Sequence, residues 1–135
     1  MIKKIDHVAV VVKSLDEALE LYERILGVKA ARVETVPEQG VKAALLPLKE
    51  GGEIELLEPI DPESDSGVAR FLKNSGEGLH HVTFEVDNVE EEIKSMTAKG
   101  MRMIDEQPRT GLAGRIAFMH PRSTRGVLIE LAQKV

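Results

Sequence analysis

Two histidines and two glutamates occupy matching places in this chain. His7 sits in Ile5-Asp6-His7-Val8-Ala9, and His81 in Leu79-His80-His81-Val82-Thr83. They are 74 residues apart, and the same offset places Val8 on Val82, Val12 on Val86 and Ser14 on Asn88. Further on, Gly40 falls on Gly114, Ala43 on Ala117 and Pro47 on Pro121. Glu55, in Ile54-Glu55-Leu56, matches Glu130, in Ile129-Glu130-Leu131, at an offset of 75 that one extra turn residue explains. A carboxylate inside an apolar strand is costly unless it is paired or bound to a cation. Taken singly, each glutamate reads as an outward-facing residue of an alternating strand, and each histidine as a hydrogen-bonded strand residue. Four matched positions are harder to assign to coincidence. If the two halves pack with pseudo-twofold symmetry, the four side chains converge. Two neutral imidazoles and two carboxylates suit a divalent ion that keeps open positions for water or substrate. The expected ligands are therefore His7, Glu55, His81 and Glu130. The repeat selects His81 over His80, and strand alternation points His80 the other way. His120 stands before Pro121 at a hairpin end, where a loop role and a place lining a substrate site are both open.

Composition narrows the classes. The chain has 135 residues, 42% hydrophobic and 30% charged, as expected of one ordinary globular domain with its own core. A net charge of −5 with interspersed signs argues against a nucleic-acid partner. With no cysteine, thiol chemistry and disulfides are excluded, and a metal must be held by His, Asp or Glu. No apolar run approaches the roughly 18 residues that span a bilayer. The N-terminal residues do not resemble a signal peptide, so a cytoplasmic location is expected.

The elements that must position these residues follow from the pattern. Residues 3–12 read as a strand, with Ile5, His7, Ala9 and Val11 on one face. Ser14 and Glu17 form a capping box that starts a helix carrying Leu15, Ala18, Leu19, Tyr22, Ile25 and Leu26, and Gly27 closes it. Strands are expected at 28–36, 41–48 and 53–58, the last two joined by Glu50-Gly51-Gly52. Asn88 and Glu91 repeat the cap, Val89, Ile93 and Met96 the stripe, and Gly100 the stop. Strands are then expected at 79–87, 101–106, 114–120 and 126–132. The reading is one α+β domain over 1–135. Module one spans 1–58 and module two 79–135, each βαβββ, joined by a linker over 59–78 with a short helix near Phe71.

At this point the residues resemble a known family. Paired βαβββ modules with a His/Glu/His/Glu set look like the vicinal oxygen chelate superfamily. Within it, nearly the whole length is similar to the methylmalonyl-CoA epimerases. That similarity is carried by Pro37-Glu38-Gln39-Gly40-Val41, Glu55-Leu56-Leu57-Glu58-Pro59, Gly78-Leu79-His80-His81-Val82, and the run from His120-Pro121-Arg122-Ser123 to Gly126-Val127-Leu128-Ile129-Glu130-Leu131. The resemblance implies a curved mixed sheet around a metal site, and interconversion of the (R) and (S) epimers of methylmalonyl-CoA. It implies a divalent ion, with cobalt first and manganese, magnesium, zinc or nickel as substitutes, held by His7, Glu55, His81 and Glu130. It also implies an acyl-CoA substrate and a homodimer. Several bacterial members carry a glutamate, proposed as a catalytic base, where this chain has Ala43. Glu130 is then the better base, and Glu55 or a metal-bound water is left as the second.

The expected chemistry needs a base, a stabilised enolate and a returned proton. Arg109, Arg115, Arg122 and Arg125, with Ser123, lie in or beside loops and suit the phosphates of coenzyme A, though each also reads as a solvated surface charge. Two other functions use related scaffolds. A glyoxalase I-type lyase acting on a glutathione hemithioacetal would use the same ion site. A metal-free small-molecule binding module would be expected to lack the ligand set. An extradiol dioxygenase fits less well, since it uses three ligands and a larger chain.

Overall fold

The structure is a computed structural model describing Met1–Val135. Its contacts divide into two compact units, one of Val8–His80 and one of Met1–His7 with His81–Val135. Strand β1, Ile2–Val11, leaves the second of these after His7. Strand β5, Gly78–Val86, re-enters it at His81.

In the unit of Val8–His80, helix α1, Leu15–Leu26, begins where the Ser14 hydroxyl accepts from the Glu17 N–H at 3.2 Å. It ends at Gly27, whose φ of 69° is the left-handed stop anticipated from the sequence. Strands β2, Arg32–Val36, β3, Val41–Pro47, and β4, Glu53–Pro59, form an antiparallel meander. The stretch 28–31 lies outside β2, although the Ala31 N–H still reaches Leu45 O at 2.8 Å. Beyond β4 comes helix α2, Gly67–Ser75, capped by the Ser66 hydroxyl. The core here is Val12, Leu15, Ala18, Ala44, Leu46 and Leu56, with Leu19 and Tyr22 packed against it.

In the other unit the strands lie in the order β5, β8 (Ile129–Gln133), β7 (Gly114–Met119), β6 (Arg109–Gly111). β5 and β8 run parallel and the other pairs antiparallel, so this sheet is mixed. Helix α3, Val89–Ala98, is started by the Asn88 side chain, which accepts from the Glu91 N–H at 3.1 Å. Its core is Val86, Val89, Ile93, Ala117, Met119 and Leu131, with Met96 packed against it. The two cores share several repeat-equivalent positions. Val12 matches Val86, Leu15 matches Val89, Leu19 matches Ile93, Tyr22 matches Met96 and Leu56 matches Leu131.

Other strand expectations change as well, and β8 begins at Ile129 instead of residue 126. The stretch 101–106 forms one isolated bridge, Met103 to Met119, instead of a ladder. Asp105 explains why: its carboxylate takes the Phe118 N–H at 2.8 Å, a donor that a continuous ladder would use. On β1, His7, Ala9 and Val11 are buried as expected, but Ile5 is 54% exposed. Asp6 is buried in its place.

Gly114 is the tightest backbone contact. Its φ is +115°, and a Cβ there would stand 2.4 Å from the Gln133 carbonyl oxygen on β8. Gly114→Ala should therefore lower stability by about 1–3 kcal/mol, the cost typical of forced backbone strain. Chemical denaturation checks it; an unchanged midpoint would contradict the close approach.

Candidate metal centre

Three of the four expected ligands come together. His7 on β1, His81 on β5 and Glu130 on β8 offer ligand atoms all within 4.8 Å of one another, and all three are buried. His7 Nε2 lies 3.5 Å from Glu130 Oε1, and His81 Nε2 lies 3.3 Å from the same oxygen. The two rings meet edge to face, with centroids 5.5 Å apart. Such spacings suit a shared ion. Bonds of about 2.0–2.2 Å to N and O put adjacent donors roughly 3.0–3.5 Å apart. Glu55 is buried in β4, in the unit of Val8–His80.

The side chains around the three donors orient them. Asp6 Oδ2 lies 2.7 Å from His7 Nδ1, and Asp6 Oδ1 lies 2.9 Å from Lys134 Nζ. A carboxylate on Nδ1 fixes that nitrogen as the N–H and leaves Nε2 as the lone-pair donor facing Glu130 and His81. Burial pushes the Asp6 carboxyl up, but its hydrogen bonds to His7 and Lys134 outweigh this and hold it below the usual carboxylate range. Because the folded pKa is depressed, this contribution is complete above the unfolded value and is lost as pH falls through the folded one. The Asp6 clamp is thus intact at neutral pH. Burial likewise pushes Glu130 up. The hydrogen bond and charge of His81, the Thr83 hydroxyl and the charge of His7 reverse it, so Glu130 is also an acid held ionised. Thr83 is fully buried, with Oγ1 3.0 Å from His7 Nε2 and 2.5 Å from Glu130 Oε1.

Comparisons with known proteins identify the superfamily. The model of the glyoxalase/bleomycin resistance protein/dioxygenase superfamily matches residues 6–119. The chain belongs to that superfamily. Among its glyoxalase-superfamily relatives, the mitochondrial methylmalonyl-CoA epimerase of Dictyostelium discoideum is 36% identical over 135 residues, covering 98% of this chain and 80% of that protein. The ethylmalonyl-CoA/methylmalonyl-CoA epimerase of Cereibacter sphaeroides is 32% identical over 136 residues, covering 98% and 99%. A solved variant of the Streptomyces coelicolor methylmalonyl-CoA epimerase, in complex with 2-nitronate-propionyl-CoA, has a TM-score of 0.90 and 35% identity. It covers 100% of this chain and 99% of that one. The α+β reading with tandem βαβββ modules is the fold these proteins share with this chain.

Other residues singled out from the sequence have plainer surroundings. His80 is half-buried and stacks edge to face on Phe71 at 5.0 Å. His120 caps the short 3-10 turn Pro121–Thr124, its Nδ1 accepting from the Arg122 N–H at 3.1 Å. Arg115 pairs with Glu90 at 2.6 Å, and Arg109 pairs with Asp105 at 3.0 Å while lying over the Phe118 ring. Asp6, Thr83 and Lys134 join the site beyond the residues expected from the sequence. Thr83 had a readable signal, because position i+2 on a strand shares the face of His81. Asp6 had a misleading one, because alternation places it opposite His7.

Two substitutions separate these roles. His81→Ala should abolish stoichiometric binding of a divalent ion while His80→Ala spares it, as read by calorimetry. Equal loss in both would undo the choice of His81. Asp6→Asn keeps the size but weakens the hold on His7, and should loosen the ion by about 10–100-fold. An unchanged affinity would mean that Asp6 does not orient its neighbour.

Proposed function

We propose that this protein is a methylmalonyl-CoA epimerase, interconverting the (R) and (S) epimers of methylmalonyl-CoA by removing and returning the α-proton. One observation carries the reading. A buried His/His/Glu cluster stands in a chain whose relatives over nearly its full length include methylmalonyl-CoA epimerases. His7, His81 and Glu130 would hold a divalent ion, for which cobalt is the first choice. When bound, the ion supplies Lewis-acid polarisation of the thioester oxygen and a template for the substrate carboxylate.

The rest of the work falls to the chain. The α-carbon lies between a carboxylate and a thioester, so its proton is acidified by both. Glu130, held ionised by its neighbours, is assigned as a base that accepts it. Asp6 and Lys134 keep His7 in the orientation that presents Nε2. Glu55 enters as fourth ligand and second proton carrier through its place in the repeat, equivalent to Glu130, and through its burial in β4. Ala43, buried on β3, ends in a methyl group and offers no proton. The second carrier therefore has to be found elsewhere. A cytoplasmic homodimer completes the proposal, supported by composition and family resemblance. No helix is long and apolar enough to cross a membrane.

The test is proton NMR of (R)-methylmalonyl-CoA with cobalt-loaded protein in heavy water. Both epimers should appear, with deuterium replacing hydrogen at the α-carbon as turnover proceeds. Inversion with no exchange or transfer of that hydrogen would sink the proton-abstraction route. No conversion, with turnover of a glutathione hemithioacetal instead, would move the protein to the lyases.

A further inference from the structure

Thr83 is a buried hydroxyl inside the donor cluster that neither the repeat nor the chemistry above requires. It lies two residues beyond His81 on β5, on the same strand face, and is paired in parallel register with Glu130 on β8. Its Oγ1 reaches two atoms of the cluster, His7 Nε2 at 3.0 Å and Glu130 Oε1 at 2.5 Å. A threonine hydroxyl has one proton to give. With Asp6 on Nδ1, neutral His7 presents a lone pair at Nε2, so two acceptors compete for that proton. An ion on Nε2 consumes the lone pair, and a single acceptor, Glu130 Oε1, is left.

From this we infer that Thr83 is a positioning residue for Glu130. Its hydroxyl donates to Oε1 when the site is loaded, fixes the rotation of the carboxylate, and so sets which oxygen meets the ion and which faces the substrate. This rests on the metal reading of the cluster. Loss of the hydroxyl leaves a buried carboxylate oxygen short of a donor. The carboxylate is then free to turn, and the ion should feel it as a change of ligand geometry.

Thr83→Val is nearly isosteric and replaces the hydroxyl with a methyl group, Thr83→Ser keeps the hydroxyl and removes the methyl, and Thr83→Ala removes both. Cobalt affinity by calorimetry and the visible d–d spectrum of the cobalt-loaded protein are read for all three. Val and Ala should bind cobalt about 10-fold or more weakly, the usual effect of losing a partner of a ligand, with altered band positions and intensities. Ser should retain wild-type affinity and spectrum. Should Val fail to fold, the comparison of Ala with Ser decides the question, since they differ in the hydroxyl. Wild-type affinity and spectrum in a variant lacking the hydroxyl overturns the inference alone. So does a Ser variant as weak as Ala, which would assign the effect to methyl packing. Wild-type protein that takes up no cobalt overturns the metal reading, and this inference with it.

Discussion

The cost of burying ionisable groups governs this structure. Asp6, His7, His81 and Glu130 are each no more than 6% exposed. Left alone, any of them would oppose folding by several kcal/mol. Each is placed against a partner of complementary chemistry. Lys134 and His7 flank Asp6, while His7, His81 and Thr83 surround Glu130. The arrangement is a chain of contacts running Lys134, Asp6, His7, Thr83, Glu130, with His81 against the last. Breaking a link strands a charged or polar group where water cannot reach it. The same low-water surroundings that make this costly also strengthen every electrostatic contact inside.

The fold serves that cluster in a simple way. β5 carries His81 and Thr83 on one face, and β8 brings Glu130 directly opposite Thr83. Beneath them, Val86, Val89, Ile93 and Leu131 bind α3 to the sheet, so the strands that hold the donors stand on a packed core. In the other unit, repeat-equivalent residues do the same work around α1. Two helices that begin with matching caps, at Ser14 and Asn88, fix where each strand that precedes them must end.

Much of this was legible in the sequence, for identifiable reasons. Periodicity and caps gave α1 and α3 because helix starts are written locally, in Ser14 with Glu17 and in Asn88 with Glu91. The repeat offset gave His7, His81 and Glu130, and distinguished His81 from His80, because a duplicated fold repeats its facing pattern. What failed was whatever depended on a distant partner. Alternation along β1 put Asp6 outside, but alternation does not know that Lys134 and the ring of His7 await that carboxylate. The stretch 101–106 has strand-like apolar spacing, yet Asp105 takes a backbone donor for its side chain and ends the ladder. Thr83 looked like an ordinary β-branched strand residue, which it also is.

The span of chain that these contacts cross has a thermodynamic consequence. His7 and Thr83 are 76 residues apart in sequence, and Thr83 and Glu130 are 47 apart. A guest shared by His7, His81 and Glu130 therefore closes two long loops at once, and no single element can fray without releasing a donor. Its binding free energy falls on whole-unit opening, through linkage to the folded state, rather than on local opening of one strand. Occupancy then flattens the spread of local stabilities, raising β1, β5 and β8 together.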